Sequence, residues 1–203
     1  MTELVLVRHG ETVWHRDNRY AGRSDVALTD HGRRQAEVLG DWSATAGLDA
    51  VWVSPLSRAR ETAAPVARAT GLDPHVDERI IELDFGRAEG LTAREMERDF
   101  PKARAAFVAD PVTNYLPGGE DPALAVKRMT SCAGDIVRAY PSGRVLVVGH
   151  STAHRLLLCH LLGLPLRSYR RVFPVFRNCA LTTVRWDGEG QAALLEFNTP
   201  VES

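Results

Sequence analysis

Cysteine is scarce in this chain: Cys132, Cys159 and Cys179 are the only three among 203 residues. An odd number, widely spaced and set among apolar neighbours, makes no disulfide framework and reads as buried thiols in a reducing compartment. Net charge is nearly absent as well, because 25 basic residues face 26 acidic ones and leave -1. Bulk electrostatics therefore support neither a nucleic-acid nor an anionic-membrane partner, and any anion site has to be local. Long hydrophobic runs are missing too. Leu156 to Leu166 is interrupted by His160 and Pro165 and falls short of the ~20 residues a bilayer crossing needs. Leu4 to Val7 is a run of four with no basic segment before it, which reads as a strand and not as a signal peptide. These absences predict a soluble, cytoplasmic protein. Lysine is confined to Lys102 and Lys127, so nearly all positive charge is arginine.

What is present is a chain in which strand and helix patterns alternate. Glu3–Val7 and Arg144–Gly149 read as buried strands, as does Leu48–Val53. A helix opens after Thr29 or Asp30 as N-cap, another runs from Arg58 to a C-cap at Gly71, and Ala123–Ala139 has strong 3.6-residue periodicity. Thr92–Ala109 looks helical but broken at Pro101, and Ala153–Leu162 reads as a buried helix. The tail, 179–186 and 192–197, predicts a hairpin that either pairs across a homodimer or closes a sheet edge. The fold class expected is three-layer α/β/α, a mostly parallel central sheet with helices on both faces. No Gly/Ser/Pro-rich linker divides it, so residues 1–203 are expected to form one domain. The irregular stretch at about 87–122 is expected to be a helical lid insertion, with Phe107 and Tyr115 either lining the substrate site or forming the lid's core.

Three strand ends carry chemistry: Arg8-His9, Arg58 shortly after the second strand, and His150 after the apolar Val145–Val148 run. Ligands in open parallel sheets bind beyond the carboxyl ends of the strands. Two arginines converging there suit a small anion such as phosphate, and histidine adds a nucleophile or base that works near neutral pH.

The text at these positions is Arg8-His9-Gly10-Glu11-Thr12, Leu28-Thr29-x-x-Gly32, Ser54-Pro55-Leu56-x-Arg58-Ala59-x-x-Thr62-Ala63 and Val148-Gly149-His150-Ser151. The four segments, in this order, resemble the histidine phosphatase superfamily, also called phosphoglycerate mutase-like, over residues 4 to about 162. The resemblance implies that His9 is a nucleophile forming a phosphohistidine, and that Arg8, Arg58 and His150 bind the phosphoryl oxygens. The family's general acid falls on Glu82, with Asp84 and Glu89 as rivals; its apolar sequence neighbours suggest an environment that favours the protonated acid. Gly22 fits a family glycine, Arg23 is a substrate contact or a solvated side chain, and Ser151 offers its backbone N–H at a helix start.

Departures from the family text are specific. His15 stands where asparagine is common, either replacing it as an imidazole donor or pointing away. Ser151-Thr152 replaces two glycines, and His154 stands where an aliphatic residue is usual. A zinc reading of His150 and His154 lacks a third ligand in context, so neither metal nor other cofactor is expected. The Glu82–His150 interval is short and the family's mutase text around the acid is missing, both of which look like the phosphatase branch. The implied activity is metal-independent hydrolysis of a small phosphomonoester through phospho-His9, with Glu82 as acid and then base. A cofactor-dependent phosphoglycerate mutase and a catalytically silent phosphate-binding module are the alternatives.

Overall fold

The computed structural model describes residues 1–201. Strand β1 (Thr2–Arg8) is followed by helix α1 (Asp30–Ser43), β2 (Ala50–Val53), α2 (Ser57–Thr70) and a two-residue β3 (His75–Val76). Then come α3 (Ala93–Asp99), α4 (Pro101–Ala109), α5 (Pro122–Ala139), β4 (Arg144–Gly149), α6 (Ser151–Leu161), α7 (Tyr169–Val172), β5 (Leu181–Trp186) and β6 (Ala193–Thr199). The sheet order is β3-β2-β4-β1-β5-β6. β1, β2, β3 and β4 run parallel, and β5 and β6 join antiparallel beyond β1.

The strand pleat sends alternate side chains to opposite faces, and both faces are apolar. Leu4, Leu6, Val145 and Val147 pack in one core with α5 and α6 residues such as Met129, Ile136, Leu156 and Leu157. Val5, Val7, Val51, Leu146 and Val148 pack in a second core with Leu39, Ala59, Ala63 and Val66 of α1 and α2. This is the three-layer arrangement expected from alternating strand and helix text. The C-terminal hairpin closes one side of the sheet, with β5 on β1 and β6 at the edge.

Local signals act where the sequence puts them. The Thr29 hydroxyl accepts from the Gly32 N–H and caps α1, and Gly71 ends α2 in the left-handed region at φ 73°. Pro101 does break the 92–109 helix: Thr92 and Glu95 form a capping box for α3, and α4 begins on the proline. α6 starts two residues earlier than its apolar periodicity implies, directly after His150, because the polar Ser151 and Thr152 form its first turn. The short β3 and α7 lack enough periodic residues to be read from sequence. Among the described residues, no helix is long and apolar enough to cross a membrane.

Register positions the site. Val7 and Arg8 of β1 pair with Val148 and Gly149 of β4, and Val53 of β2 also pairs with Val148. Three neighbouring parallel strands therefore end together, and the residues that follow them, His9, Ser54 and His150, meet above one edge. The loop after β1 lies hard against the start of α1. A Cβ on Gly10 would come within 2.5 Å of the Gly32 carbonyl oxygen, and one on Gly32 within 2.1 Å of the Glu11 oxygen. Both places need a residue without a side chain.

Candidate active site

A cavity of about 260 Å³ opens at these strand ends, lined among others by Arg8, His9, His15, Gly22, Arg58, Glu82 and Ser151. His9 is only 5% exposed. Its Nδ1 lies 2.7 Å from the Gly10 carbonyl oxygen, which only accepts, so Nδ1 carries the proton and Nε2 keeps its lone pair. Arg58 Nε donates toward that Nε2 at 3.3 Å. Burial, followed by the charges of Arg58 and Arg8, holds the His9 imidazole well below its ordinary pKa. A neutral ring whose Nε2 lone pair meets only a long contact from Arg58, beside the charges of two guanidinium groups, is an arrangement that suits a nitrogen nucleophile.

Arg58 is fully buried and held by backbone. Its Nη1 donates to the Ser24 carbonyl and its Nη2 to the Gly22 carbonyl, each at 2.7 Å. Gly22 has φ 48°, and a Cβ there would collide with the Glu89 carboxylate. Gly22 therefore serves the site through its carbonyl. Arg8 donates from Nη1 to the Phe176 carbonyl at 2.8 Å and from Nη2 to His15 Nε2 at 2.5 Å. Its Nε is buried with no partner among the described residues.

His15 faces the cavity, but as an acceptor and not as the donor that is one reading of its place. Arginine can only donate, so His15 Nε2 accepts from Arg8, while Nδ1 lies 2.8 Å from the Thr12 hydroxyl and 3.0 Å from the Thr12 backbone N–H, which donates toward it. Burial and then Arg8 lower its pKa to about 4, which keeps the acceptor available at neutral pH. A hydrogen bond to a charged group contributes ~1.5–3 kcal/mol. His15→Phe is therefore expected to lower kcat/KM about ten- to a hundredfold, with His15→Asn recovering most of it; equal rates in all three proteins would remove His15 from the site.

Glu82 is 6% exposed and reaches the cavity wall. The apolar setting suggested by its sequence neighbours is not its setting in space. Oε1 accepts from the Leu83 and Ala153 N–H groups at 2.8 and 2.9 Å, and Oε2 from the Thr152 N–H at 3.0 Å. The cause is tertiary: the carboxyl group sits on the N-terminal turn of α6, whose otherwise unpaired N–H groups take its oxygens as acceptors. Two bonds fill Oε1, and one leaves Oε2 a free lone pair. The rivals are occupied elsewhere. Asp84 accepts from the Gly86 N–H in its own loop, while Glu89 collects the N–H groups of Arg23, Ser24 and Phe85 together with the Ser24 hydroxyl.

Three expected contacts lie outside the cavity lining. His150 is not among the lining residues: it is fully buried, its ring centroid 5.2 Å from that of His9, with Nε2 on the Ser54 hydroxyl at 2.7 Å and Nδ1 unpartnered among the described residues. Arg23 also lies outside the lining, where it ion-pairs with Glu120 at 3.4 Å. No residue of the 87–122 insertion lines the cavity. Phe107 is buried behind Tyr20, and Tyr115 is exposed. The lining also holds residues for which the sequence suggested no site role: Tyr20, Phe85, Thr152, Arg155 and Arg170. Helical phase after His150 could have found Arg155, one turn beyond Ser151 on α6; nothing local marks Arg170.

His154 packs against Phe176 outside the lining, with both ring nitrogens buried and unpartnered among the described residues. Burial alone pushes its pKa down from 6.5 to about 3. Below about 6.5 the unfolded chain binds a proton that the folded one refuses until about 3, so stability is lost as pH falls through that window. His154→Leu is expected to stabilise the fold by ~1 kcal/mol or more at neutral pH, since it removes two unpaired polar atoms. Its advantage should widen by about 1.4 kcal/mol per pH unit below 6.5. Urea unfolding at two pH values, 7.5 and about 5.5, measures both effects, and a constant difference would refute the buried neutral ring.

Comparison with known proteins agrees with this geometry. The family described as "Histidine phosphatase superfamily (branch 1)" matches residues 4–199. Phosphoserine phosphatase 1 of Hydrogenobacter thermophilus is 32% identical over 169 residues, covering 83% of this chain and 80% of that protein. Probable phosphoglycerate mutase GpmB of Klebsiella pneumoniae is 34% identical over 184 residues, covering 91% and 85%. Among solved structures, Bacillus stearothermophilus YhfR superposes with a TM-score of 0.90 at 29% identity, covering 98% of each chain. The mycobacterial glucosyl-3-phosphoglycerate phosphatase Rv2419c does so with a TM-score of 0.87 at 27% identity, covering 97% of this chain and 98% of that one. With Arg8 and Arg58 lining one cavity with His9, and a family match over nearly its whole length, the chain belongs to the histidine phosphatase superfamily, branch 1.

Proposed function

We propose that this protein hydrolyses small phosphomonoesters through a covalent phosphohistidine on His9. The observation that carries the reading is the orientation of one ring: His9 Nδ1 is fixed on the Gly10 carbonyl, which leaves Nε2, loosely contacted by Arg58 Nε at 3.3 Å, as the lone-pair nitrogen of a ring that lines the cavity with Arg8 and Arg58.

Nε2 attacks phosphorus as the P–O bond to the alcohol breaks, and the leaving oxygen takes a proton from Glu82. Oε2 is the oxygen suited to hold that proton, since it accepts only one backbone bond. Water then attacks the phosphohistidine and returns a proton to Glu82; the N–P bond breaks and inorganic phosphate leaves with the enzyme restored. Arg8, Arg58, the unpartnered Nδ1 of His150 and the Ser151 N–H serve the non-bridging oxygens, where positioning and charge stabilisation do most of the work in phosphoryl transfer. No step requires a metal.

The cavity volume lies just below the ~300–1,000 Å³ typical of drug-sized ligands, which suits an ester with a short carbon body better than a nucleotide. The relative named as a mutase supports a second reading, in which the phosphoryl group is handed to a second hydroxyl and not to water. Both share the phosphohistidine. Phosphate release from a panel of short phosphate esters with excess chelator, alongside 3-to-2-phosphoglycerate isomerisation, separates them. Release without isomerisation is expected; isomerisation without release would replace the hydrolase with the mutase, and neither would leave a silent phosphate-binding module.

A further inference from the structure

Charge in the cavity exceeds what a phosphate ester needs. Arg8, Arg19, Arg58, Arg155 and Arg170 line it against the single carboxylate of Glu82. Arg19 is paired with Glu95 at 2.9 Å. Among the described residues no carboxylate forms an ion pair with the other four arginines. Whether Glu82 is ionised or carries its catalytic proton, those four leave about three or four uncompensated positive charges, whereas a bound phosphomonoester brings about two negative ones.

The surplus belongs to two arginines that the phosphate site does not use. Arg155 extends from α6, its Nη2 donating to the Pro174 carbonyl at 3.1 Å while its Nε is buried with no partner among the described residues. Arg170 extends from α7. Its Nε donates to the Tyr169 hydroxyl oxygen at 2.9 Å, its Nη1 to that of Tyr20 at 3.2 Å, and its guanidinium lies 4.7 Å from the centre of the Phe107 ring. Its flat fork is thereby fixed, with Nη2 free of these bonds. Arg155 depresses the pKa of Arg8, after burial, and Arg170 does the same to Arg155, so the three positive charges crowd one another. Guanidinium groups gathered without counter-ions around a concave space form a site for an anion.

We propose that Arg155 and Arg170 form a carboxylate-binding subsite, so that the substrate is a short phosphomonoester carrying a carboxylate a few bonds from the ester oxygen. The inference rests on the phosphomonoesterase reading above and narrows it. Two flat guanidinium forks suit a planar carboxylate, and the small cavity keeps the two anionic groups close and leaves little room for a second phosphate. The insertion, rich in arginine as it is, contributes no lining residue. Selection therefore comes from α6 and α7.

The test uses 3-phosphoglycerate and glycerol 3-phosphate, which differ by a carboxylate in place of a hydroxymethyl group. The wild-type protein is expected to favour 3-phosphoglycerate at least tenfold in kcat/KM, and Arg155→Gln to lower that ratio at least tenfold. Arg155→Lys, which keeps the charge and loses the fork, should fall between. Arg170→Gln tests the second group, with circular dichroism to check that its packing on Phe107 is not needed for folding. No preference in the wild type, or an equal loss on both esters in Arg155→Gln, would overturn the subsite while leaving phosphomonoester hydrolysis standing. Calorimetry on the His9→Ala protein tests the subsite without turnover. If no ester is hydrolysed yet 3-phosphoglycerate still binds at least tenfold tighter than glycerol 3-phosphate, and Arg155→Gln abolishes the difference, the hydrolase reading falls and the subsite stands.

Discussion

His9→Ala is expected to lower phosphate release by at least ~10⁴-fold, to the level of buffer with ester alone. A covalent route has no bypass through the remaining groups, and removing a nucleophile from a catalytic unit typically costs on the order of 10⁴–10⁶ in kcat. The fold should survive. His9 makes one side-chain bond to backbone and one loose contact with Arg58, so the lost stability stays near ~1 kcal/mol. Two measurements decide the matter: steady-state release, and an acid-labile phosphate found on the His9 peptide of the wild-type protein after quenching. Residual activity within a hundredfold of wild type would mean that water attacks the ester directly and that His9 only binds it. The depressed pKa of His9 adds a condition on pH. Its Nε2 remains unprotonated well below pH 6.5, so an acid limb of kcat/KM near 6.5 should not come from this ring.

Arg58→Ala is expected to have the second largest effect, and on two quantities together. The guanidinium aims Nε at the nucleophile and is preorganised by the carbonyls of Gly22 and Ser24, so kcat should fall ~10²–10³-fold, as when a fixed transition-state donor is removed. The same truncation empties the space of a fully buried side chain and strands two carbonyls, at ~1–3 kcal/mol for each group left unpaired. Arg58→Lys separates the contributions. Lysine restores charge without the fork that spans Gly22, Ser24 and His9 at once, so activity should stay low even if the thermal midpoint partly recovers. A lysine variant within threefold of wild type would mean that positive charge alone suffices there.

The arginine text also shows how far a linear reading reaches. With almost all the positive charge of the chain on arginine, no count or spacing distinguishes the residues that serve the site from those that serve the surface. Arg58 and Arg8 stand out through the motifs that hold them and through their places at, or shortly after, strand ends. Arg23, close by in sequence to Gly22, turns to Glu120, while Arg155 and Arg170, far along the chain, come to the cavity.

The sequence by itself determined the alternation of apolar strands and amphipathic helices, and with it a three-layer sheet. It also determined the local devices at Thr29, Gly71 and Pro101, whose effects span a few bonds of backbone. It placed His9, Arg8, Arg58 and His150 at strand ends through motifs that are themselves local. Tertiary structure decided the rest. Glu82 meets backbone N–H groups of α6 because two segments some seventy residues apart are packed together, which no apolar neighbour in the chain could reveal. His15 became an acceptor for Arg8 through the meeting of two side chains, and His150 is held beside His9 because Ser54, just past the end of another strand, engages it. Periodicity reports which face of an element is buried. Which polar atom finds which partner depends on the packing of distant elements, and that is set only when the whole chain has folded.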